Sequence, residues 1–117
     1  MKKLGEYIKQ KRIIKQLTLR KFCEEVGLDP SNWSKIERGL LEGPKTENIL
    51  KEIASVLELT ADDYQEMKDI AAIESIPKAI RPSSEIMEAL PVFFRTAREL
   101  KPSEENLKKL IELLKKS

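Results

Sequence analysis

An all-α fold is predicted by three features of this sequence. Apolar residues recur three and four positions apart, the period of a helix with one inward face. Glu, Lys and Leu dominate a chain that is 36% charged and 40% hydrophobic, enough to bury a core under a charged surface. Only 5% is aromatic and only four of 117 residues are Gly, which argues against an all-β sandwich.

The elements follow in order. Residues 4–15 place Leu4, Tyr7, Ile8 and Ile14 among charges at helical spacing, a first helix, and Gln16-Leu17 is the connection. Thr18 is an N-cap, since its hydroxyl can accept an orphan backbone N–H, and the second helix carries Phe22, Cys23 and Val26. Gly27 suits a left-handed C-terminal turn. Asp29-Pro30 restarts the chain: Asp caps, and Pro fits the first helical position, where an N–H has no partner. The third helix passes through Trp33 and Ile36 to Gly39, and residues 40–45, with Gly43-Pro44, form a loop. Thr46 caps a fourth helix with Ile49, Leu50, Ile53, Ala54 and Leu57 inward. Thr60 opens a fifth, with Asp62 and Asp63 where the helix dipole favours acids and Met67, Ile70 and Ala71 apolar.

Pro77, Pro82 and Ser83-Ser84 mark a linker over 75–83. Beyond it the pattern predicts a short helix around 84–90, another starting at Pro91 with Val92, Phe93, Phe94 and Ala97, and a last one from Pro102 with Leu107, Leu110, Ile111 and Leu114 on one stripe. The expected organisation is a domain over 1–74, the linker, and a C-terminal helical region over 84–117.

Composition narrows the function. A single cysteine, Cys23, permits no intrachain disulfide and reads as a small buried apolar residue. The chain has no histidine, so the common zinc sites and His-based catalysis are not expected, and with no phosphate loop and no paired nucleophile and base neither is an enzyme. No cofactor or metal is called for. No apolar run approaches the roughly 18 residues that span a bilayer, and the first residues lead into a charged amphipathic stretch; no membrane association is expected, and the cytoplasm is the expected compartment. The net charge of +2 is unevenly spread: +5 over residues 1–45, −6 over 46–75 and +3 over 76–117. A basic front beside an acidic middle fits a protein that shows one face to an anionic polymer, although ordinary scatter of solvated charge gives the same count.

Two short helices over 18–26 and 29–38, separated by Gly27-Leu28, have the spacing of a helix-turn-helix, in which the second helix offers its first residues to base edges in the major groove. Residues 4–59 resemble the phage-repressor-like (Xre-type) helix-turn-helix family. The matching pieces are Leu4-Gly5-Glu6-Tyr7-Ile8, Lys11-Arg12-Ile13, Leu17-Thr18-Leu19-Arg20, the run Val26-Gly27-Leu28-Asp29-Pro30-Ser31-Asn32-Trp33-Ser34-Lys35-Ile36-Glu37-Arg38-Gly39, and Ile53-Ala54-Ser55-Val56-Leu57-Glu58-Leu59. The resemblance implies a five-helix repressor-like DNA-binding domain followed by a small C-terminal dimerisation segment. It implies base reading by Ser31, Asn32 and Lys35, backbone contacts from Arg12, Thr18, Leu19, Arg20, Ser34, Arg38 and Lys45, and an interhelical ion pair of Arg12 with Glu37. The loop at 40–46 departs from the most compact family members in its length and in acidic Glu42, which leaves Lys45 as its backbone contact.

The tail carries more apolar surface, at Phe93, Phe94, Leu107, Leu110, Ile111 and Leu114, than its short helices can bury alone. A homodimer interface is the expected use, matching operators with two half-sites. The expected function is sequence-specific transcriptional control on double-stranded DNA by a dimeric repressor. The alternative partner is a toxin, with this chain an autoregulating antitoxin.

Overall fold

The computed structural model describes residues 3–100, 108 and 111–115. It is helical, with no strand among the described residues. The helices are α1 (Leu4–Ile14), α2 (Leu19–Val26), α3 (Pro30–Glu37), α4 (Glu47–Val56), α5 (Ala61–Glu74) and α6 (Ser84–Leu100), with a 3-10 turn at Lys78–Ile80. Residues 111–115 are also helical. Among the described residues no helix is long and apolar enough to cross a membrane. The chain divides into two compact units, Lys2–Ile76 and Pro77–Ser117.

In the first unit α1 packs on α3 and α5, α2 on α3 and α4, and α4 on α5. The shared core is Leu4, Tyr7 and Ile8 from α1, Phe22 and Cys23 from α2, Trp33 from α3, Leu50, Ile53 and Leu57 around α4, and Met67, Ile70 and Ala71 from α5. The caps read from the sequence form at three helices: the hydroxyls of Thr18 and Thr60 accept from the N–H of Lys21 and Asp63, each at 3.1 Å, and the Asp29 carboxylate accepts from Asn32 at 2.9 Å. Thr46 occupies the N-cap of α4 without a side-chain cap bond. At α1 the cap comes from afar, where Glu74 Oε1 accepts from the Leu4 N–H at 2.9 Å and ties the start of α1 to the end of α5.

Helices α1 to α4 end alike. Gln16, Gly27, Gly39 and Glu58 each take a positive φ, and the next residue donates back five positions, as Leu28 does to the Cys23 carbonyl at 2.9 Å. These closures turn the chain sharply, so that α1, α2 and α3 follow one another with only a few residues between them.

Besides the Thr46 cap, two expectations are corrected. Ile14 is 72% exposed, because the inward stripe of α1 runs Leu4, Tyr7, Ile8 and then Arg12, so Ile14 falls off that face. The break at Pro91 does not occur: α6 is continuous from Ser84 to Leu100 with Pro91 inside it. Proline removes one helical hydrogen bond and crowds the preceding turn. The apolar stripe nevertheless continues past it, with Met87 and Leu90 buried before Pro91 and Phe93, Phe94 and Ala97 half-buried after it.

Candidate nucleic-acid interface

The pair α2–α3 is held by a small buried polar centre. Arg12 on α1 donates from Nε and Nη2 to the two carboxylate oxygens of Glu37, each at 2.9 Å, a fork that matches carboxylate geometry. Trp33 Nε1 donates to Glu37 Oε2 at 2.7 Å, and Arg12 Nη1 donates to the Leu17 carbonyl at 2.7 Å. The Arg12 and Glu37 side chains are 10% and 4% exposed, so this pair lies largely out of water. The same guanidinium therefore binds the last turn of α3 and the entry to α2. The Trp33 and Phe22 rings lie 5.4 Å apart, tilted by 42°, and pack α3 against α2. Burial pushes the Cys23 thiol up from its ordinary pKa; the Glu37 charge adds to this and Arg12 partly offsets it.

The other side of α3 faces solvent. Ser31, Asn32, Lys35 and Arg38 are exposed and Ser34 is half-buried. Asp29 takes the backbone N–H of Asn32 and leaves its side-chain amide outward, while Arg38 Nε reaches back to the Ser34 carbonyl at 3.3 Å. The Lys35 ammonium has no hydrogen-bond or ion-pair partner among the described residues, while its backbone carbonyl accepts from Leu40. Glu37 is the one acid within α3, and it is turned inward and paired. The exposed face of the helix is thus polar and basic.

The residues expected to touch a nucleic-acid backbone divide into several groups. Thr18 and Arg20 are exposed at the start of α2. Leu19 is half-buried and packs on the core, so what it can offer an anion is its backbone N–H. Arg12 is committed to its internal bonds and keeps only the outer N–H groups of Nη1 and Nη2. Lys45 is exposed but pairs with Glu42 at 2.7 Å, which neutralises the loop locally. Beside the end of α3 the fold gathers Lys3, Lys9 and Arg38 with Glu6 around an open concavity of about 400 Å³, and Lys3 Nζ donates to the Gly39 carbonyl at 3.3 Å. Lys3 was not among the expected contacts. Its spacing within the sequence does not mark it, because Lys3 stands at the N-cap of α1 and meets the end of α3 across 36 residues.

In the second unit Phe93 and Phe94 are half-buried, with ring centroids 6.3 Å apart and edge to face. Ile111 and Leu114 are 50% and 41% exposed. Leu107 and Leu110 lie outside the described residues. An apolar cleft of about 290 Å³ is lined by Ile86, Leu90, Phe93, Leu113 and Leu114, with Glu85 at its edge. Among the described residues no group of His, Cys, Asp or Glu is placed to hold a metal ion.

Comparison with protein-family models, with curated proteins and with solved structures finds no match.

Proposed function

We propose that this chain is a sequence-specific DNA-binding transcriptional regulator, a dimeric repressor of the phage-repressor-like (Xre-type) kind that reads the major groove with α3. The observation that carries this reading is the division of α3 into two faces. Trp33 and Glu37 point into the fold and are held there, while Ser31, Asn32, Lys35 and Arg38 point out with no acid among them. A rigid helix with a free polar and basic face is what base reading needs, because phosphates flank every groove and an outward carboxylate would be repelled. The preceding helix supports the same reading: α2 begins with exposed Thr18 and Arg20, a helix N-terminus that favours an anion.

The second unit supplies the dimer contact in this reading. Val92, Ile111, Leu113 and Leu114 are exposed, the last two lining the apolar cleft, and a second copy would cover them. Two-fold pairing would set two recognition helices roughly 34 Å apart, one turn of DNA.

The test is selection of bound duplexes from random-sequence DNA by the full chain, followed by titration of the winners across salt. The expected result is an enriched sequence with two related half-sites and a binding constant that falls steeply with salt. No enrichment, with binding equal to that of arbitrary duplex, would remove the reading.

A further inference from the structure

Resting on that reading, we infer that α3 recognises an A·T pair through Asn32 and a G·C pair through Lys35, one or two base steps apart in each half-site. The argument is one of hydrogen-bond chemistry on the exposed face. The Asn32 side chain is exposed, and its amide offers one donor group and one acceptor side by side. In the major groove only adenine presents an acceptor and a donor, N7 and N6, on one base in matching order. The Lys35 ammonium is exposed and donates only. Guanine is the base that presents two acceptors, O6 and N7, to such a group.

The same face argues against the other bases as targets. Cytosine shows a donor, N4–H, and calls for a carboxylate; within α3 the only one is Glu37, and three hydrogen bonds hold it inward. Thymine is marked by its methyl group and calls for an apolar contact. The outward residues Ser31, Asn32 and Lys35 offer none, since Trp33 is buried and Ile36 packs on the core. Ser31 both donates and accepts, so it tolerates several bases. Lys35 follows Asn32 by three positions, about 4.5 Å along the helix at 1.5 Å per residue. That compares with about 3.4 Å between successive base pairs, which sets the spacing of the two recognised pairs.

The experiment uses the full chain on its selected site, with single-base variants of each half-site in competition. A lost bidentate contact is expected to cost roughly 5- to 150-fold in discrimination. Lys35→Ala should flatten preference at the G·C position and leave the A·T position intact, and Asn32→Ala should do the reverse. Replacing that guanine by 7-deazaguanine removes the N7 acceptor, so it should weaken the parent but leave Lys35→Ala unchanged; the parent's response decides the matter even if a variant fails to fold. An enriched site without these two pairs, or with both preferences intact in the variants, overturns the inference and leaves DNA binding standing. Absence of any enriched site overturns both.

Discussion

Glu37 accepts hydrogen bonds from three donors, two on Arg12 and one on Trp33, in surroundings that exclude most water. An ion pair this buried gains little over an apolar pair of the same shape, yet removing one partner leaves the other charge desolvated and alone. Glu37→Ala is therefore expected to cost about 3–5 kcal/mol, well above the 0–1 kcal/mol typical of exposed pairs such as Lys21 with Glu25. Urea unfolding measures this, and a midpoint shift no larger than that of Glu25→Ala would show that the pair contributes little. Cys23 offers a probe of the same region. It is 1% exposed and its thiol is pushed toward the neutral form, so the nucleophilic thiolate is both scarce and covered. Thiol reagents should label the native protein slowly and the urea-unfolded protein rapidly. Equal rates in both states would mean that the site opens readily.

At the scale of the element, two glycines make separate demands. Gly27 closes α2 with φ near +85°, and nothing lies within 4 Å of where a Cβ would stand. Its requirement is purely one of backbone conformation, so Gly27→Ala should cost about 1 kcal/mol, the expense of a left-handed L-residue. Gly5 has an ordinary backbone, but a Cβ there would fall 2.1 Å from the Ile36 carbonyl oxygen. Helix α1 packs on α3 there, and neither backbone can yield without moving α3. Gly5→Ala should thus cost more than Gly27→Ala, about 1–3 kcal/mol or above, and in the proposed reading it should also weaken DNA binding through displacement of α3. Thermal unfolding of the two variants side by side checks the order; the reverse order would place the strain at the turn instead of the crossing. Helix α6 is a third case. Pro91 interrupts its hydrogen bonding, so Pro91→Ala should raise its stability, seen as a higher melting temperature or slower amide exchange over residues 84–100. A lower melting temperature would show that the proline side chain is itself required for packing.

At the scale of the whole molecule, the charges and the two units matter together. The +5 of residues 1–45 falls on the segment that holds α1 to α3 and the −6 of residues 46–75 on the segment that holds α4 and α5. In the proposed reading, the basic segment is the one that carries the contacts to DNA, which favours association with an anionic polymer. The second unit bears on valency. A chain ending at Ile76 retains the whole of the first unit's core, and in the proposed reading it is expected to fold as a monomer that binds DNA weakly, since it would lose the gain of engaging two half-sites at once. Analytical ultracentrifugation and operator titration measure the two effects. A truncated chain that stays dimeric with full affinity would assign the dimer contact to the first unit.

Much of this protein is decided locally. The periodic apolar residues, the caps at Thr18, Asp29 and Thr60, and the left-handed Gly27 each act within a few residues, so the helices and their ends can be read from the chain. The outward positions of Ser31, Asn32 and Lys35 follow from Trp33 turning inward, which is again a matter of helical period. The pairing of Arg12 with Glu37 was legible only through resemblance, because 25 residues separate the two. What lay beyond reach depends on which surfaces meet. Gly5 is demanded by the Ile36 carbonyl where α1 meets α3, and Glu74 caps α1 from the far end of α5. Ile14 is left outside because Arg12 holds the inward position of the last turn, and Pro91 stays helical because one apolar stripe runs past it on both sides. Local propensity settles an element's type and its ends, whereas a contact between distant residues exists only once packing has closed the chain, and at those positions packing overrides propensity.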